Sequence, residues 1–265
     1  MDNINKADEN EIVNHDMNKH TCHDSHSNIT TDSHSNITNF PIDYNTFPLV
    51  KNCEIHKIEL CENQYLFMPE NWFHWVFTEP NTLSVHYEIN NINFIDNNNN
   101  FYKSLKYSEP FFNVFNSKSN IKHMDFINKS LNHSYRAIFS DTDDCIPVQK
   151  NQTKKFFHSN TLANIIDINI TNNYHTYVGN NKIDSDNIMN DFVFINDIID
   201  SDFHNGISYV PSVWFTLNKR VNSGLHSDPT PNLIYIVDGK KTIYLFSPCC
   251  YNNMYIKEYP LIKTI

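Results

Sequence analysis

The stretch SGLHSDPTPNLIYIVDGKKTIYLFSP, residues 223–248, decides how the chain is read. It opens with His226-Ser227-Asp228, an HxD at a strand end that is stopped by Pro229. Alternate side chains of a strand share a face, so the imidazole and the carboxylate point together while Ser227 points away. With 14 histidines in 265 residues, about one HxD arises by chance. A second, His123-Met124-Asp125, falls in a stretch with helical spacing and has no supporting neighbours. Around the first, Asn232-Leu-Ile-Tyr-Ile-Val237 and Thr242-Ile-Tyr-Leu-Phe246 read as strands joined by an Asp238-Gly239 turn.

Outward from this core, Arg220 to His226 and Val213 to Leu217 are further strands, with Asn222-Ser-Gly224 read as a turn signal. Toward the front, Glu54 to Leu60, Tyr65 to Met68 and Leu83 to Ile89 carry the same texture, the last alternating Leu83, Val85, Tyr87 and Ile89 with Ser84, His86 and Glu88. Between these blocks, Ile121 to Leu131, Ser159 to Ile168 (with Ser159 as N-cap) and Asp191 to Ile199 have helical spacing, and Tyr135 to Phe139 reads as a strand. The fold class is α+β, a double-stranded β-helix or jelly roll with flanking helices.

Residues 1–39 hold almost no hydrophobic periodicity. Asp24-Ser-His-Ser-Asn-Ile-Thr30 recurs as Asp32 to Thr38, and the segment reads as a disordered polar tail whose His15, His20, His23, His26 and His34 are fixed by no fold. Residues 40–265 read as a single domain: 40–90 and 206–265 as strand blocks, 91–108 as an Asn-rich linker and 109–205 as a helical region.

Composition narrows the function. The chain is 40% hydrophobic, and 30 acidic against 20 basic residues give a formal charge of -10, with Arg only at positions 136 and 220, so nucleic acid is a poor partner. Six cysteines show no CxxC pair, which supports neither a zinc ribbon nor a disulfide framework, and reduced thiols are the plain expectation. The N-terminus shows no apolar signal segment and no run of 18 apolar residues occurs, so an intracellular protein of nucleus or cytoplasm, with no membrane partner, is expected.

The 223–248 stretch resembles the first half of the catalytic barrel of the JmjC and cupin-like oxygenases: HxD, an Asn four residues after the Asp, a GxK turn and an apolar strand ending in Pro. Phe47-Pro48 through Leu60, Tyr65-Leu-Phe-Met-Pro-Glu-Asn-Trp-Phe-His74 and Leu83-Ser-Val-His-Tyr87 resemble the second half, with its Pro-x-x-Trp-x-His turn. The resemblance implies an Fe(II)- and 2-oxoglutarate-dependent oxygenase. His226, Asp228 and His74 would hold the iron, and Lys241 the distal carboxylate of 2-oxoglutarate with help from Ser223. Asn232 and His86 would lie near the cosubstrate, although His86 stands where the family usually offers Asn. Two imidazoles and one carboxylate suit Fe(II) and leave three positions open. The activity implied is hydroxylation of a protein or peptide side chain, and the acidic chain suits a basic substrate. Alternatives are a lysine demethylase with the same chemistry, an inactive barrel fragment or binding module, and a small-molecule binder.

The two halves stand in reversed order. Circular permutation, remnants of tandem domains, or a rearranged reading frame would each produce this. Tandem remnants would place residues 41–90 and 205–250 in separate barrels. Ligands of one metal lie roughly 3 Å apart, so a His74 ring more than about 8 Å from Asp228 would favour the fragment. Residue-level rivals stand beside these roles: His74 as a packed neighbour of Trp72 and Phe73, Lys240 and Lys241 as solvated hairpin charges, Trp72 and Trp214 as core.

Overall fold

The computed structural model describes residues 33–92, 109–114, 121–143, 155–182 and 207–256. In chain order the strands are β1 (Ser33–His34), β2 (Ile55–Cys61), β3 (Gln64–Met68), β4 (Phe73–Thr78), β5 (Leu83–Ile92), β6 (Phe111–Val114), β7 (Ser134–Ser140), β8 (Lys155–Thr161), β9 (His175–Lys182), β10 (Ile207–Thr216), β11 (Val221–Ser227), β12 (Asn232–Asp238) and β13 (Lys240–Phe246). Two helices, α1 (His123–Ser130) and α2 (Leu162–Asn172), lie among them.

Every strand pairing is antiparallel, in a five-stranded sheet β1-β11-β4-β13-β2 and an eight-stranded sheet β6-β3-β12-β5-β10-β9-β7-β8. The expected jelly-roll sandwich is therefore present. Front and back segments interleave in both sheets: β4 lies between β11 and β13, and β12 between β3 and β5. Residues 41–90 and 205–250 share both sheets, so the separate barrels expected of tandem remnants are not found.

Period-two alternation sets the layers. In β4, Phe73, Trp75 and Phe77 pack outward with Ile37, Val50, Leu225, Phe246 and Met254. His74 and Val76 consequently face the interior between the sheets, where Val76 joins Leu60, Leu66, Met68, Ile234, Ile243 and Leu245. In β12, Ile234 and Ile236 face that same interior, while Leu233, Tyr235 and Val237 pack with Phe126, Leu162, Ile165 and Phe215 beneath the helices. A strand buried on both faces needs apolar residues throughout. Each fully buried Leu, Ile or Val contributes about 1.5–3 kcal/mol relative to exposure.

Several expectations are corrected. Residues 33–39 belong to the fold, because Ser33–His34 pairs with β11 and the Ile37 side chain is buried in the outer core; residues 1–32 lie outside the described residues. Asn222-Ser-Gly224 is no turn but a register shift inside β11, where Gly224 has φ +72° and its N–H donates to Asn222 Oδ1 at 2.7 Å. Ser159 lies in β8, whose ladder with β7 keeps the chain extended to Thr161, so α2 starts at Leu162. Within 109–205 the described residues form four strands besides the two helices, so that region is not mainly helical. The expected helix over 191–199 lies outside the described residues, and of the 91–108 linker Asn91 and Ile92 continue β5. Cys249 is disulfide-bonded, against the expectation of reduced thiols, whereas Cys53, Cys61 and Cys250 are free. No helix among the described residues is long and apolar enough to cross a membrane.

Candidate metal centre

β4 and β11 are neighbours, and their register sets His226 directly opposite His74. Cross-strand partners project to one face, here the interior, where the ring centroids are 4.1 Å apart. Asp228 follows β11 at once, and its Oδ2 is 3.6 Å from His74 Nε2. One ligand atom from each of His74, His226 and Asp228 lies within 4.8 Å of the others, well inside the separation that would favour a broken fragment.

Backbone carbonyls fix the imidazole tautomers. His74 Nδ1 donates to the Trp72 carbonyl at 3.0 Å and His226 Nδ1 to the Gly224 carbonyl at 3.1 Å. Each Nε2 thereby keeps its lone pair, the condition for a ligand held by an outer hydrogen bond. The bulge at Gly224 places its carbonyl for this role. Asn232 Nδ2 donates to Asp228 Oδ2 at 2.9 Å and orients the carboxylate, while the Asn71 N–H donates to the Asp228 carbonyl at 2.8 Å. Burial pushes the His74 imidazole down to about 4 and that of His226 to about 3, and raises the Asp228 carboxyl. Such neutral imidazoles beside an acceptor-only carboxylate are a donor set suited to a divalent transition metal.

The three groups open onto a cavity of about 560 Å³, whose apolar wall includes Met68, Val76, Ala137, Ile138 and Ile234. Lys241, from β13, is fully buried, and its Nζ donates to His86 Nε2 at 3.0 Å. Burial lowers the Lys241 ammonium to about 7 and holds the His86 imidazole well below its ordinary value. The hairpin pair thus divides: Lys240 is the solvated member, bonded to Glu59 at 2.6 Å. Ser223 lines the cavity, but its hydroxyl accepts from the Val76 N–H and donates to the Gly224 carbonyl, both at 3.3 Å.

Trp214, read from sequence as core, lines the cavity and stacks on His86 with centroids 5.2 Å apart. Its indole lies over Gly179, where an added Cβ would come 2.1 Å from Trp214 Cε3. Gly179→Ala is expected to cost about 1–3 kcal/mol by overpacking, measured by denaturant unfolding; an unchanged midpoint would mean that the indole moves freely. The second HxD is structural: His123 Nε2 donates to the Thr216 carbonyl at 2.8 Å and Asp125 is exposed. The histidine that sequence reading missed at the site is His34. Both copies of the polar repeat carry the same Asp-Ser-His-Ser-Asn-Ile-Thr pattern, so no local signal marks the one that docks.

A model of the cupin-like domain family matches residues 91–264. The chain belongs to the cupin-like domain family. A JmjC domain-containing protein of Acanthamoeba polyphaga mimivirus is similar, 27% identical over 244 residues covering 83% of this chain. The chain spans only 38% of that relative's length. No solved structure matches. The cupin-like match takes in His226, Asp228, Asn232 and Lys241 but stops short of β4, so His74 joins the cupin-like centre from outside the matched span, through sheet pairing.

Proposed function

We propose that this cupin-like chain is an Fe(II)- and 2-oxoglutarate-dependent oxygenase that hydroxylates a protein or peptide side chain. The observation that carries the reading is the convergence of two Nε2 lone pairs and one carboxylate on a single cavity wall. Iron and the 2-oxo acid, when bound, supply the oxidation of an unactivated C–H bond. His74, His226 and Asp228 would hold the metal, and Asn232 aims the carboxylate. Met68, Val76 and Ile234 keep water from the reacting region.

Lys241 supports the cosubstrate assignment on physical grounds. A fully buried amine set against an imidazole and the face of Tyr177, with centroid 5.9 Å away, is poorly compensated as a cation. An anion's carboxylate would compensate it. The formal charge of -10 suits a basic peptide substrate, which electrostatics would steer to the chain.

Anaerobic titration with Fe(II) and then 2-oxoglutarate is expected to produce the visible charge-transfer band of a chelated 2-oxo acid. A wild-type protein that gives no band, or an equal band in His226→Ala, would remove the support for an oxygenase.

A further inference from the structure

The five-stranded sheet carries a row of three histidines. β1 pairs with β11 so that His34 stands opposite His226, which stands opposite His74 on β4. All three rings line the same cavity. His34 and His226 are stacked with centroids 5.6 Å apart and an interplanar angle of 17°, while His74, on the β4 side, lies against His226 tilted by 54° at 4.1 Å. His34 lies outside the set of groups whose ligand atoms converge, and its ring contact with the centre is the stack on His226.

We propose that His34 is a positioning residue for the metal centre, whose ring, stacked on His226, holds that imidazole in its ligating plane and walls the open side of the site. His226 is tied at Nδ1 by a single carbonyl, and that carbonyl belongs to the bulge, where the ladder is interrupted. A hydrogen bond at one atom permits rocking of the ring about it; packing from both neighbouring strands does not. His34 supplies the stacked contact and His74 the tilted one.

The arm bearing His34 is anchored well enough for this task. The Ser35 N–H donates to the Leu225 carbonyl at 3.0 Å, and the Asn36 N–H to the Tyr255 carbonyl at 2.8 Å. The Ser35 hydroxyl donates to the Met254 carbonyl, and Ile37 is 1% exposed in the outer core. Two residues of regular pairing would fray alone, but these ties lock the strand from both sides. The metal centre is thereby assembled from three adjacent strands, the outermost contributed by a polar repeat.

The inference rests on the metal reading of the triad, and the test separates the two. Co(II) alone is titrated into wild-type protein, His34→Ala, His34→Phe and His226→Ala, following the d–d bands and affinity, with thermal unfolding of each metal-free protein. Wild type is expected to bind, His226→Ala to lose binding, and His34→Ala to bind about 10- to 100-fold more weakly, the usual effect of losing an outer support, with shifted bands. His34→Phe, which keeps a ring on His226, is expected to recover most of the affinity and the band positions. Wild-type affinity and bands in His34→Ala overturn the proposal while leaving the triad intact. His34→Phe as weak as His34→Ala, with both metal-free midpoints lowered, assigns His34 to the fold alone and overturns it too. Wild-type protein that binds no Co(II) removes the metal reading and this inference together.

Discussion

Affinity for Fe(II) or Co(II) is expected to fall about a hundredfold or more in His74→Ala and to remain at the wild-type value in Asp125→Asn. A structural metal bound by four protein ligands gains about 10–16 kcal/mol, hence about 2.5–4 kcal/mol for each ligand, and about 2.7 kcal/mol is a factor of a hundred. His74 carries this weight because its Nε2 lies 3.6 Å from Asp228 Oδ2 and opposite His226. Asp125 offers the control, since it belongs to an HxD of the same composition but sits exposed on α1 while His123 is spent on the Thr216 carbonyl. Isothermal titration of both variants measures the contrast. Wild-type affinity in His74→Ala would detach β4 from the centre and leave only the HxD pair; a loss in Asp125→Asn would mean that metal binds elsewhere.

The part of this centre that was legible in the sequence is the part built from local geometry. An HxD at a strand end fixes its own two side chains on one face, and β12 and β13 are marked as strands by short runs of β-branched and aromatic residues around the Asp238-Gly239 turn. His74 needed the resemblance, since β4 is buried at every position from Phe73 to Thr78 and offers no polar alternation to read. Asn71, with φ +65°, makes the turn before it. β9 escaped notice because Gly179, Asn180 and Asn181 are poor strand formers, and tertiary pairing with β7 and β10 overrides them. His34 is the extreme case: its place depends on a contact with residues nearly 200 positions later, Ser35 with Leu225, and nothing within the repeated heptapeptide encodes it. Likewise Asn222-Ser-Gly224 has turn composition, but its Asn222 side chain accepts from Gly224 N and Trp75 Nε1, which converts the same residues into a bulge.

Lys241→Met is expected to stabilise the metal-free protein at neutral pH and to flatten its stability profile in alkali. Burial lowers the Lys241 pKa from 10.5 to about 7. Between those values the unfolded chain holds a proton that the folded chain has released, so wild-type stability rises with pH across that window, by about 1.4 kcal/mol per unit. As pH falls through 7 the folded amine becomes charged and the penalty is complete, a few kcal/mol in all. Met has a similar length and no charge to desolvate, and exchanging a buried polar group for a packed apolar one is often stabilising. The variant should therefore be the more stable protein at pH 7, and the gap should close by roughly 2–3 kcal/mol on going to pH 9.5. Denaturant melts of both proteins at the two pH values test this, and parallel profiles would show that the amine is not desolvated. A side chain that weakens the fold yet sits behind His86, which lines the cavity, is expected to serve binding, so the same variant should keep its metal affinity and lose the 2-oxoglutarate charge-transfer band. Loss of the band with metal affinity intact separates the anion-holding role of Lys241 from the metal-holding role of the triad; retention of the band would leave the buried amine without a ligand to hold.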